Sequence, residues 1–399
     1  MPSAIRFGVD HLLDQQRSTL RNLRVGLVTN DTAVTAYLPY PMMPSRLALQ
    51  RADVNLTKLF APEHGLGAAA ADGAEIANER DALTGLPVYS LYGTTYRPTA
   101  EMLSEIDLLL FDIPDIGARF YTYIWTLSYL LEACSVQQLP LWVLDRPNPL
   151  GGDLGLAEGP MLDEAHISTF VGRWAIPIRH ALTAGELAQF WNAERNFHVD
   201  LTVVTALDWH RQMDWSATGL SFVPTSPAMP SAETIYPYLA TCFFEGTNLS
   251  EGRGTAIPFR AVGAPWLDAN GVVAQFNALQ LPGVVARATQ FTPATNKYAN
   301  ELCHGIMLHV LDPLCYHPVA TGLHLLWLIM DQQPEKFAWL SYPTADNAQG
   351  ISHFDRLVGT TAVRSAIGKL ATHDVTAQIA QWTEVAPWAD TVQPYLLYP

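Results

Sequence analysis

The chain has 399 residues, 49% of them hydrophobic and 15% charged, which is a globular composition with ample core material and a length that favours two domains. A net charge of −15 offers no basic face to a phosphate backbone or an anionic membrane surface, so neither nucleic acid nor membrane is an expected partner. No apolar run approaches the ~20 residues that a membrane span needs.

The N-terminal stretch MPSAIRFGVD lacks a charged region followed by an apolar one. The expectation is therefore a cytoplasmic protein if Met1 is the natural start, and an exported one if a leader was removed. The first half then alternates in kind. The runs VGLVTN, NLTKLFAPEH, LPVYSLYG, IDLLLFDIPD and LPLWVLDRPN are short and nearly continuously apolar. Such runs suit strands buried on both faces of a parallel sheet. Between the last two lies ARFYTYIWTLSYLLEACSV, with helical periodicity. Strand, helix, strand in that order predicts right-handed crossovers and a Rossmann-like, doubly wound α/β domain.

Each apolar run ends in polar residues: Asn30, Glu63 and His64, Asp112 and Asp115, Asp145 and Arg146. In open α/β sheets ligands sit beyond the carboxyl ends of the strands, so several strands are expected to aim reactive groups at one edge. In LFAPEHGLGA the apolar run stops at Pro62, and Glu63-His64 follows on a turn with two glycines. Apolar walls favour the protonated form of a carboxyl group, which makes Glu63 a candidate general acid or base; helix capping is the structural alternative. In DIPDIGARFYTY a helix is expected to start near Gly117. That puts the Arg119 charge in its first turn, where it opposes the helix dipole unless an anion or Asp115 lies near. In LDRPNPLGG, Pro147 and Pro149 stiffen a loop carrying Asn148.

Further on, TAGELAQFWNAER places Thr183 and Glu186 at capping-box spacing, and VDLTVVTALDW reads as another strand. The character changes near residue 235, which is taken as a domain boundary. FFEGTNLSEGRGT, rich in glycine and polar groups, reads as an interdomain loop. It carries Glu245, Asn248, Glu251 and Arg253, the kind of hydrogen-bonding set a sugar site needs. A helix around residues 272–279, strands near GVVARATQF and GIMLHVLD, and a helix over VATGLHLLWLIMDQQ follow, giving a smaller α+β second domain over residues 236–399. The four cysteines form no CxxC and are expected as buried free thiols. The 12 histidines show no HExxH, and VGLVTN lacks a following GxGxxG, so neither metal nor nicotinamide cofactor is expected.

Taken in order, LFAPEHG, FDIPDIGARFYTY, LDRPNPLGG, EGP at 158–160, SPAMP at 226–230, FEGTNLSEGRGT, GAPW at 263–266 and the C-terminal PYLLYP resemble the DUF1343 family over nearly the whole chain. Members of that family with an assigned activity are exo-β-N-acetylmuramidases. They release N-acetylmuramic acid from the non-reducing end of peptidoglycan fragments, in a cleft between a Rossmann-like domain and a smaller C-terminal one. The resemblance implies a muropeptide or disaccharide substrate and no cofactor. It implies Glu63 as acid/base, with His64 and Asp115 as catalytic neighbours. It implies substrate contacts from Asn30, Asp112, Arg119, Tyr121, Tyr123, Asn148, Glu245, Asn248, Glu251 and Arg253. The second carboxylate is open among Glu245, Glu251, Asp112 and Asp115. A non-catalytic muropeptide-binding protein and a hydrolase of another amino-sugar glycoside are the alternative readings. Three positions depart from the family pattern: no arginine follows PEHG, and Pro114 and Ala228 stand where the family has side-chain amides.

Overall fold

The computed structural model describes residues 5–37, 39–71, 74, 79–344, 347–350 and 352–399. Seven strands form the main sheet: β1 (Val25–Thr29), β2 (Leu56–Ala61), β3 (Glu79–Arg80), β4 (Pro87–Ser90), β5 (Leu108–Asp112), β6 (Leu141–Leu144) and β7 (Leu201–Val204). Their order is β3-β4-β2-β1-β5-β6-β7. Every neighbouring pair is parallel except β3 with β4 at the edge. The two most continuously apolar runs, β1 and β5, lie at the centre, and every residue in them is buried. This is the doubly wound architecture that alternating apolar runs predict, because a strand covered by helices on both faces has no polar side to display.

The order also fixes where a ligand can go. From β1 the chain builds outward through β2 and β4, then returns to place β5 on the other side of β1. Loops leaving β1 and β5 therefore diverge, which opens a crevice at their carboxyl ends. Thr29 pairs with Asp112, so the two chains leave the sheet side by side.

The helix after β5 spans Tyr123–Gln137, six residues later than the Gly117 start expected from the sequence. Gly117 takes φ +83°, and Asp115 Oδ2 accepts its N–H at 2.7 Å. A Cβ there would collide with the Asn148 amide. The backbone thus turns through residues 117–122 before the helix can begin, and Arg119 lies outside the helix. The Thr183–Glu186 capping box is present and starts the helix Ala184–Glu194.

A second unit carries the antiparallel sheet β8-β10-β9, from β8 (Ala261–Ala264), β9 (Val284–Phe291) and β10 (Cys303–Val310). The helices Ala232–Thr241, Ala269–Ala278 and Pro318–Gln332 pack around it. One hydrophobic core runs through both units, from Phe111 and Trp125 to Phe243, Leu326 and Trp388. Cys134, Cys242 and Cys303 are buried, Cys315 is half-buried, and all four are free thiols. Among the described residues no helix is long and apolar enough to cross a membrane.

Candidate active site

The turn after β2 is built by its own backbone. Gly65 N–H donates to the Pro62 carbonyl at 3.0 Å, and Ala69 N–H to the His64 carbonyl at 3.1 Å. His64 sits at φ +68°, a left-handed conformation that costs a non-glycine residue about 1 kcal/mol or more and is kept where surrounding structure enforces it. Its Nδ1 lies 2.8 Å from the Ala70 carbonyl, which can only accept, so Nδ1 carries a proton. The imidazole meets the Tyr123 ring edge-on. Glu63 is buried, and the Thr122 hydroxyl donates to its Oε2 at 2.6 Å.

Thr122 belongs to the RFYTY stretch, whose side chains divide by partner. Tyr121 donates to Thr225 Oγ1 at 2.6 Å and Tyr123 to the Thr225 carbonyl at 2.7 Å. Both hydroxyls therefore clamp the segment that carries SPAMP. Burial pushes both tyrosines above the usual phenol range, so they act as neutral donors.

Glu63, His64, Tyr121 and Thr122 form one wall of a narrow cleft of about 80 Å³. The facing wall comes from the second unit. Glu245, on the single turn that follows the helix Ala232–Thr241, accepts from Arg253 Nη2 at 2.8 Å and pairs with His353 Nε2 at 2.9 Å. Burial alone would raise the Glu245 carboxyl. The Arg253 charge and the His353 hydrogen bond outweigh it and hold the carboxyl at about 2. Arg253 also stands 4.7 Å over the Phe259 ring, and Tyr342 stacks on His353 at 4.6 Å. The cleft thus carries Glu63, bonded to a hydroxyl, and Glu245, held ionised by the Arg253 charge and its contact with His353.

Several residues expected at the site are elsewhere. Arg119 is fully buried. Its Nη1 donates to the Pro160 and Ile176 carbonyls and its Nη2 to those of Leu357 and Val358, so it reaches neither the cleft nor Asp115. Burial lowers this guanidinium to about 9. Asp112 is spent on a buried two-point ion pair with Arg146, at 2.6 and 3.1 Å. Asp115 faces away from the cleft, toward Pro147 and Phe222, with His180 Nε2 at 3.6 Å. Asn148 bonds the Leu182 carbonyl and the Leu150 N–H, and Asn30 accepts from Thr32 in its own loop. Asn248 ties the interdomain loop to Lys336 and Ala338, and Glu251 is buried against Lys297 at 2.9 Å. Each of these side chains makes its contacts with protein and does not line the cleft, although Asn30 Nδ2, Asp115 Oδ1 and Arg119 Nε are left without a hydrogen-bond partner.

Of the residues anticipated from the sequence, Glu63, His64, Tyr121, Glu245 and Arg253 line the cleft together. Sequence reasoning missed Thr122, His353, Tyr238, Phe259 and Tyr342, which line it too. Thr122 sat in plain view between two tyrosines. His353 carries no local signal, since its partner Glu245 is 108 residues away. Among the described residues no group of three or more His, Cys, Asp or Glu is placed to hold a metal ion.

A family model described as the N-terminal part of exo-β-N-acetylmuramidase NamZ matches residues 25–233, and one described as its C-terminal part matches residues 236–398. The peptidoglycan β-N-acetylmuramidase NamZ of Bacillus subtilis (strain 168) is 43% identical over 363 residues, covering 91% of this chain and 84% of that protein. Two solved structures of DUF1343 family proteins from Bacteroides fragilis NCTC 9343 superpose with TM-scores of 0.86 and 0.73, at 31% and 27% identity, each over 99% of both chains.

Proposed function

The chain belongs to the NamZ family of exo-β-N-acetylmuramidases, and from that membership we propose that it hydrolyses the terminal N-acetylmuramic acid glycoside at the non-reducing end of peptidoglycan fragments. Glu63 is the general acid/base. Glycoside hydrolysis asks for a proton donor at the leaving oxygen and a second carboxylate that works on the opposite side of the sugar as nucleophile or base. The observation that carries the reading is that Glu63 and Glu245 line one cleft.

Their environments support a division of roles. A carboxyl held at about 2 is ionised throughout the neutral range, so Glu245 cannot donate a proton and suits the second role. Glu63, which lines the same cleft and accepts from the Thr122 hydroxyl, is the proposed donor. Thr122 fixes its side chain, and the tight turn behind it fixes its backbone, which is the preorganisation that proton transfer requires. The other carboxylates weighed for the second role, Asp112, Asp115 and Glu251, do not line the cleft. Arg253 lines the cleft and Arg119 does not, so Arg253 is the proposed cation for the lactyl carboxylate of the sugar.

The test is Glu63→Gln, assayed on a para-nitrophenyl β-N-acetylmuramide and on a disaccharide of muramic acid and glucosamine. Turnover should fall about 10²- to 10⁴-fold, while the melting shift caused by the free sugar is kept. Turnover at the wild-type rate would remove Glu63 from the acid/base role. A melting shift in the wild-type protein with no turnover would favour a muropeptide-binding protein instead.

A further inference from the structure

Among the described residues a second cavity is larger than the cleft. It holds about 570 Å³, within the range of small-molecule sites, and lies between the segment 154–158, Leu281-Pro282, the start of the helix Pro318–Gln332 and the helix Val375–Thr383. Its walls are mostly apolar, with Leu154, Leu281, Ile379 and Val385 among them.

Two deeply buried polar side chains line it. Glu158 is 3% exposed and accepts the backbone N–H groups of Val319 and Ala320, both at 3.1 Å. His317 Nδ1 stands 3.7 Å from its Oε1. Burial raises the Glu158 carboxyl to about 7, against the pull of the two N–H groups and of Arg179. His324 is likewise 3% exposed, and its Nδ1 has no hydrogen-bond partner. Burial pushes its pKa down to about 4, so the ring is neutral. No lysine or arginine is among the lining residues, and Glu384 adds a further carboxylate at the exposed rim.

Capping of the helix Pro318–Gln332 accounts for Glu158 but leaves His324 unexplained. A buried polar group without a partner costs about 1–3 kcal/mol, and native folds keep such groups where something else satisfies them. Nothing in glycoside hydrolysis at the cleft calls on either residue.

We propose that this cavity is a second, non-catalytic binding site for a small molecule with an aliphatic body and a protonated amine. The ammonium group faces Glu158, His324 supplies a hydrogen bond, and the aliphatic body covers the apolar wall. With carboxyl groups and no lysine or arginine in the lining, the cavity disfavours a carboxylate ligand of the same shape.

Calorimetric titration of the full chain with n-hexylammonium and with hexanoate tests this, because the two probes share a body and differ in charge. The expected result is one saturable site for hexylammonium, with hexanoate at least tenfold weaker. Ala380→Trp and, separately, Thr376→Trp place an indole at exposed positions of the lining. Each should weaken hexylammonium at least tenfold with the melting temperature unchanged. Cleavage of the para-nitrophenyl muramide should show no competition by the amine. Absence of saturable binding, equal affinity for the two probes, unchanged binding in whichever tryptophan variant melts normally, or competitive inhibition of turnover would each overturn the proposal.

Discussion

Glu245 and Arg119 are both buried charged side chains, and their neighbours give them opposite uses. Glu245 has a folded pKa of about 2 against an ordinary value of 4.5, so folding favours its ionised form. That contribution to stability is complete above about pH 4.5 and is lost as the pH falls toward 2. The melting temperature of Glu245→Gln should therefore lie below that of the wild type near neutrality, and the gap should close across that acid window. A gap that stays constant with pH would mean that the Arg253–Glu245–His353 contacts are not what holds this wall. Arg119 instead gathers the carbonyls of Pro160, Ile176, Leu357 and Val358 under Gly359, where a Cβ would strike the guanidinium. Lysine cannot reproduce a fork that serves four acceptors. Arg119→Lys should destabilise by about 1–3 kcal/mol for each carbonyl left unpaired, read by denaturant titration, with KM for the muramide unchanged. A raised KM with unchanged stability would return Arg119 to the substrate.

At the scale of elements, the helix Ala184–Glu194 shows how one cap can serve two structures. Thr183 Oγ1 accepts the Glu186 N–H at 3.2 Å and donates to Asp145 Oδ2 at 2.7 Å, while Glu186 accepts the Thr183 N–H at 3.0 Å. Asp145 follows β6, so the cap locks the helix to the end of a strand. Thr183→Ala should cost about 2 kcal/mol, one part from the lost cap and one from the buried carboxylate it deserts. Chemical denaturation measures this, and Thr183→Ser should recover most of it. No recovery would assign the loss to the threonine methyl group. The helix Tyr123–Gln137 has no comparable local device. Its start is set by Gly117 and Asn148, which meet through tertiary packing.

Across the whole molecule, the C-terminus closes the structure by returning to the first sheet. The Tyr398 hydroxyl donates to Asp145 Oδ2 at 2.6 Å and accepts the Ala206 N–H at 3.0 Å, and Leu397 N–H reaches Glu186 Oε1 at 2.9 Å. The last residues thus satisfy buried carboxylates laid down 211 and 253 positions earlier in the chain. Tyr398→Phe should lower stability by about 1–3 kcal/mol and leave kcat unaltered, since the hydroxyl touches no residue of the cleft. A fall in kcat at full stability would show instead that this closure is felt at the cleft.

Much of this protein was legible before folding. Nearly continuous apolar runs marked β1, β2, β4, β5 and β6, most fully at the central β1 and β5, where helices cover both faces and every residue is buried. The polar residues at their ends marked the edge where the site forms, and the spacing of Thr183 and Glu186 marked a helix start. The motifs in order carried the family. What the sequence left open was which of those polar residues face the cleft. Asn30, Glu63 and Asp112 all lie at the carboxyl ends of strands, yet only the Glu63 side chain lines it. A strand end fixes where a residue leaves the sheet; the direction of its side chain depends on which partner arrives from elsewhere. Asp112 is claimed by Arg146, 34 residues away, Arg119 by carbonyls up to 239 residues away, and Glu245 by His353, 108 residues away. No local pattern encodes such meetings, because burial satisfies a charge with whatever the tertiary packing brings beside it.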